Sequence, residues 1–180
     1  MKLVFMLEEA SMKAVLDLIL PKILPPNVSF QTISHNGKSD LRKSIPIKLR
    51  GWSEPDVQFI IVHDQDSSDC FQLKQHLSAL CNPYGRNVLV RIACRELESW
   101  YFGDLKAVSL AYNQNLVPLS EKRKYRIPDA IENPKEELKR LVPKHQQISG
   151  ARMIASHMDP CINTSQSFNA LVHGIKRICG

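Results

Sequence analysis

Acidic side chains recur at one kind of place in this 180-residue chain, directly after a short apolar run. Leu3–Leu7 leads into Glu8 and Glu9. Phe59–Val62 breaks at His63-Asp64 and continues to Asp66 and Asp69, and Val88–Ala93 is followed by Arg95, Glu96 and Glu98. Apolar runs of this length suit strands covered on both faces, and an open parallel sheet binds its ligands beyond the carboxyl ends of its strands. If these three strands are neighbours, their carboxylates collect at one edge. Carboxylates crowded without partners repel, and magnesium (or manganese), which prefers hard oxygen ligands, relieves the repulsion. Such an ion suits phosphate-ester chemistry. Any one of these acids reads as readily as a helix cap, but a cap needs one acid per helix. Three in Asp64–Asp69 favour a metal site.

The elements that must position these acids alternate through the first half. Lys2–Leu7, Val28–Ile33, Phe59–Val62 and Val88–Ala93 read as strands. Between them lie a helix capped by Ser11, kinked at Pro21 and stopped by Pro25-Pro26, a second capped by Ser39 and running to about Arg50, and a third over Ser68–Leu80. Short β-α-β connections imply a parallel sheet covered by helices. The second half reads as helical. One helix over Glu98–Tyr112 breaks at Gly103 with Asp104 as a new cap, and another starts at Asn133-Pro134. Ser149 and Ser165 cap two more, and Asn113–Asp129 is a basic loop. The expectation is one α/β domain over 1–180, with a sheet core in 1–100 and a basic helical elaboration in 101–180.

Two stretches carry a resemblance. Leu3–Glu8, and Phe59–Val62 with Asp64-Gln65-Asp66, resemble the TOPRIM fold, in which a glutamate ends the first strand and a DxD pair ends the third. The chain as a whole is similar to a bacterial family of unknown function (domain of unknown function four-two-seven-six). The segments that carry this are Glu8–Met12, His35–Leu41, Asp64–Ser67, Arg91–Trp100 and Ser149–Arg152. The resemblance implies a TOPRIM/Rossmann-like sheet and a nuclease-like effector, with magnesium or manganese held by Glu8, Asp64 and Asp66. It also implies nucleic acid as substrate and an ABC-type ATPase as partner in phage defence. On this reading Glu9 or Glu98 is the general base. Only one of Glu96 and Glu98 faces the metal once a helix has begun, and Glu98 is preferred because Leu97 and Trp100 read as buried and Glu98-Ser99-Trp100 carries the resemblance. Arg91, Arg95, Lys144 and Arg152 neutralise phosphate charge, and Lys38 reaches the same edge.

Composition narrows the remaining classes. Apolar residues make up 43% and charged residues 23%, a globular balance that excludes disorder. Five cysteines with no CxxC fit neither a disulfide framework nor a zinc ribbon, and no apolar run is long enough to span a membrane. A soluble cytoplasmic protein is expected, with a homo-oligomer left open. Residues 1–100 carry twelve basic and eleven acidic side chains, whereas residues 101–180 carry twelve and seven. The excess gathers around Lys122–Arg126, Lys139-Arg140 and Lys144-His145, a surface suited to DNA or RNA. Two rivals remain. One is a non-catalytic module that binds nucleic acid or a partner. The other is a haloacid-dehalogenase-like phosphatase, suggested by Asp64-Gln65-Asp66-Ser67-Ser68 but lacking the later metal motif. Gly37-Lys38-Ser39 lacks the earlier glycine of a P-loop. His63 reads as a strand-end residue bonded to backbone rather than a metal ligand, and Cys94 and Trp100–Phe102 read as packing.

Overall fold

Alternation along the strands decides where every later side chain points. The structure is a computed structural model that describes residues 1–180. Its first half runs β1 (Lys2–Leu7), α1 (Ala10–Ile23), β2 (Ser29–Ser34), α2 (Lys38–Gly51), β3 (Val57–Asp64), α3 (Cys70–Cys81) and β4 (Val88–Ala93). The strands form one parallel sheet of order β2-β1-β3-β4. Five helices follow: α4 (Glu98–Phe102), α5 (Leu105–Tyr112), α6 (Pro134–Leu141), α7 (Gln147–His157) and α8 (Gln166–Cys179). The expected α/β architecture with a helical C-terminal part is present.

One sheet face, with Val4, Met6, Phe59, Ile61, Val90 and Ile92, packs on α2 and α3 through Leu41, Ile45, Leu73 and Leu77. The opposite face, with Leu3, Phe5, Leu7, Ile60, Val62 and Ala93, is covered by α1 and the C-terminal helices. The larger core cluster therefore joins both halves of the chain, through Trp100, Val108, Ile154 and Phe168. Lys22, in the last turn of α1, fastens the join. Its ammonium donates to Ala155 O and Ser156 O at 3.2 Å and to Met158 O at 2.7 Å, where the C-terminal carbonyls of α7 would otherwise lack partners. Gly103 is needed at a close approach. A Cβ there would lie 2.1 Å from Asn163 Oδ1 and 2.8 Å from Ser165 N.

Several boundaries differ from the expectation. β3 does not break at His63-Asp64 but includes both, because Asp64 pairs with Ala93 and Gln65 N donates to Ala93 O at 2.9 Å. Ser11, Ser39 and Ser149 lie inside their helices rather than capping them. Gly37, at φ 84°, makes the sharp entry to α2 that no side-chain cap needs to hold. Asp69, Asp104 and Ser165 do cap, accepting from Gln72 N, Ala107 N and Phe168 N respectively. No helix is long and apolar enough to cross a membrane.

Candidate functional site

With this strand order the crossovers reverse direction between β1 and β3, so the switch-point crevice opens between Glu8 and Asp64. Both are buried, as is Glu98 in the first turn of α4. The register that pairs Leu7 with Val62 brings Glu8 level with His63, and Asp64 N donates to Glu8 Oε2 at 3.0 Å. His63 Nδ1 lies 2.9 Å from the same oxygen and 2.5 Å from Asp64 O. Burial opposes ionisation of Glu8. The His63 and Asp64 donors and the nearby Lys38 nevertheless hold its carboxyl below the usual value.

Asp64 has the opposite balance. Burial pushes its carboxyl well up, and Glu8, Glu98, Glu9 and Asp66 push it further. Its Oδ1 is buried with no hydrogen-bond partner. Burial also raises Glu98 to about 7, with Glu96 and Glu9 adding to the rise and Lys135 opposing it. The wholly buried hydroxyl of Tyr101 has no partner either, and feels Glu98 and Asp64. A buried carboxylate oxygen left without a partner among other acids is costly, and a bound cation would satisfy it.

The remaining expected residues separate. Glu9 precedes α1 and accepts from Gln147 Nε2 of α7 and from Ser11 Oγ. Asp66 Oδ2 is paired with Lys38 Nζ at 3.1 Å, and Glu96 turns away to accept from Lys135 N at 3.0 Å. Arg95 stands at the rim with φ 61°, lining a cleft of about 460 Å³ with Asp66, Glu96 and Asn133. Arg91 lies on the other side of the sheet edge, where its guanidinium donates to Ala170 O of α8 and to Val90 O. Lys144 sits 6.0 Å from the Tyr112 ring centre, and Arg152 is exposed on α7. No three His, Cys, Asp or Glu side chains yet close on one point as a metal shell would require. The donor chemistry fits a hard cation, because Glu8 is ionised and Asp64 offers an unpaired oxygen.

Sequence reasoning missed Arg42, His35, Gln65 and Tyr101. Arg42 Nη2 donates to His63 Nε2 at 3.3 Å. His35 N and Nδ1 both donate to Leu7 O, at 3.0 and 2.8 Å, and Gly37 N donates to Glu8 O, so the turn after β2 pins the end of β1. Gln65 Oε1 accepts from Arg95 N at 3.0 Å, tying the loops after β3 and β4 together. Parallel pairing would have shown that Glu8 and His63 share a face. No sequence signal placed Arg42 beneath them.

The fold and site define an α/β protein whose parallel sheet gathers carboxylates at its switch point. The chain belongs to the family described as Domain of unknown function (DUF4276), whose model matches residues 7–176. No curated protein sequence matches it. Two solved structures are similar in fold. The C-terminal region of the Xanthomonas campestris pv. campestris OLD protein has a TM-score of 0.50 at 10% identity, covering 98% of this chain and 95% of that one. The C-terminal region of the Burkholderia pseudomallei OLD protein also has a TM-score of 0.50, at 13% identity and covering 99% and 98%.

Proposed function

We propose that the protein is a TOPRIM-type phosphodiesterase, dependent on magnesium or manganese, that cleaves nucleic acid. The observation that carries this is Asp64 Oδ1, buried without a partner among Glu8, Glu9 and Glu98. The likeness in fold to the OLD C-terminal regions supports the TOPRIM-type reading. Glu8 and Asp64 would hold the cation, with Asp66 available to it if the pair with Lys38 opens. The bound ion would polarise the phosphoryl oxygen and lower the pKa of an attacking water. Glu98, at about 7, is matched to accept that water's proton near neutral pH, with Glu9 beside it. Arg95 and a released Lys38 would meet phosphate charge from the rim, whereas Lys144, against Tyr112, and Arg152, exposed on α7, belong to the surface around α7. Arg91, committed to α8, is left out of the site. An ABC-type ATPase partner and a part in phage defence rest on the family resemblance alone, nucleic acid as substrate on that and the basic excess of residues 101–180, and a cytoplasmic setting on composition.

The test is cleavage of labelled single- and double-stranded DNA and RNA with and without millimolar magnesium or manganese. Metal-dependent products that vanish in a folded Asp64→Asn protein are the expected result. Failure to cut any of the four substrates, together with metal-independent binding of one, would establish the second reading, a non-catalytic binding module. That reading has its own support in the Lys38–Asp66 pair, which ties up an acid that a cation would use.

A further inference from the structure

Of the three buried carboxylates in the site, Glu8 alone receives hydrogen-bond donors from other residues, and those donors lead to α2, on the sheet face that Met6 and Ile61 share. Arg42, on α2, points its Nη2 at His63 Nε2. A guanidinium only donates, so Nε2 must be the accepting nitrogen and the ring proton sits on Nδ1. That proton is shared between Asp64 O, at 2.5 Å, and Glu8 Oε2, at 2.9 Å, and Oε2 also takes the Asp64 amide. Two N–H groups therefore converge on Oε2, the ring one shared with Asp64 O, while no hydrogen bond reaches Oε1. His63 is 1% exposed, so water does not compete for its ring.

We infer that Arg42 and His63 are positioning residues. The chain Arg42 → His63 → Glu8 locks one histidine tautomer and fixes the rotation of the Glu8 carboxylate. One oxygen is bound by the protein and the other is presented toward the crevice beside Asp64. The inference deepens the metal-dependent reading and rests on it for the identity of what Oε1 meets. The orientation of Glu8 itself does not depend on that reading. Partners that orient a ligating side chain typically account for about 10- to 100-fold in metal affinity. Arg42 also lines a polar cleft of about 410 Å³ between α2 and α3 with Gln72 and His76, so the outer end of the chain meets solvent.

The experiment compares wild type with His63→Ala, His63→Asn and Arg42→Met. An asparagine amide can occupy the place of Nδ1–H, whereas alanine removes the donor. In metal-free protein, the Asp64 amide signal reports whether Glu8 Oε2 stays in place, and the His63 ring nitrogens report the tautomer. The expected result is a shifted, faster-exchanging Asp64 amide in His63→Ala and its retention in His63→Asn. Arg42→Met should convert the single ring tautomer into a mixture. Titration with manganese alone should show affinity about 10-fold weaker or more in His63→Ala, near wild type in His63→Asn and intermediate in Arg42→Met. Unchanged ring nitrogens in Arg42→Met, or an unchanged Asp64 amide in a folded His63→Ala protein, overturns the positioning role. If His63→Ala does not fold, the Arg42→Met spectrum and the His63→Asn amide decide. A wild type that binds no manganese would defeat the metal reading, while the two metal-free signals would still settle the positioning.

Discussion

Glu98 and Glu137 are buried to almost the same degree, 5% and 7% exposed, yet their carboxyls move in opposite directions. Glu137, on α6, is lowered to about 2, with the Arg140 hydrogen bonds as the leading cause. Arg140 Nη2 reaches Oε1 at 2.6 Å and Nε reaches Oε2 at 3.2 Å, a two-pronged grip that Lys124 at 2.6 Å and the Tyr125 hydroxyl complete. Glu98 has no cation bound to it and neighbours Asp64, whose Oδ1 is an orphan. The comparison teaches how to sort buried acids. Where the chain supplies every partner, the acid holds the fold together. Where it leaves acids short, the deficit marks a place for something from outside.

The largest effect should fall on chemistry at the deficient end. A general base contributes about 100-fold or more to rate, so Glu98→Gln should reduce metal-dependent cleavage by that much. Glu96→Gln, whose carboxylate serves the start of α6, should be nearly silent. Equal losses in the two variants would mean that burial does not distinguish them.

The second effect is on stability and falls at the satisfied end. Glu137→Gln leaves Arg140 and Lys124 facing a neutral amide with one accepting oxygen and weakens the Tyr125 bond. Both cations are more than half exposed and find water, so the loss is modest, read as a lower urea midpoint at unchanged slope. Asp64→Asn removes a charge that burial penalises, and should match or exceed wild type in the same measurement without metal. A destabilised Asp64→Asn protein would erase the contrast between the two regions. The basic loop divides along the same line. Lys124 is part of the Glu137 cluster, so neutralising it tests stability rather than binding. Lys122→Gln with Arg123→Gln is the cleaner probe of polyanion binding, expected to flatten the salt slope by about one unit per lost phosphate contact.

Much of this arrangement was legible in the sequence. Apolar runs ending in acids located β1, β3 and β4, and Gly103-Asp104, Asn133-Pro134 and Ser165 gave the starts of later helices. Helical geometry said that only one of Glu96 and Glu98 turns inward, and the apolar Leu97 and Trp100, together with the resemblance, picked Glu98, which is the buried one. What could not be read were contacts between elements distant in the chain. Arg42 meeting His63, Lys124 and Arg140 gripping Glu137, and Arg91 lying against α8 all depend on how helices seat on the sheet, and local periodicity does not carry that information. Asp66 resembled its neighbour Asp64 in sequence. At φ 52° its backbone leaves the strand, and its carboxylate goes to Lys38 instead.

The two regions should also divide the pH profile of stability. Glu98 and Asp64 are raised in the folded state, so their contribution is present at low pH and lost as pH rises, for Glu98 between about 4.5 and 7. Glu137 and Glu8 are lowered, so theirs is present above the ordinary carboxylate range and lost as pH falls, for Glu137 toward about 2. Urea unfolding from pH 3 to 8 should therefore show Glu98→Gln flattening the alkaline limb and Glu137→Gln the acid limb. Manganese should restore wild-type stability on the alkaline side only, where the carboxylates it would bind are ionised. A cation effect of equal size at pH 4 would point to binding elsewhere.

The smallest effect tests the one pair that belongs to both regions. Lys38–Asp66 lies at the candidate site but is partnered, and its side chains are 57% and 36% exposed, so water and salt screen it. Such a pair contributes about 0.5 kcal/mol or less, and Lys38→Met should barely move the urea midpoint. Its influence on a cation should be opposite in sign. Lys38 competes for Asp66 Oδ2 and adds positive charge beside Glu8, so removing it should tighten manganese binding a few-fold even as it weakens contact with a phosphate ester. Calorimetric titration of Lys38→Met with manganese alone separates the cases. Tighter binding would place Asp66 among the oxygens that the cation recruits. Weaker binding would show that Lys38 holds Asp66 in a position the cation needs, and the contrast between satisfied and deficient acids would then end at Asp64.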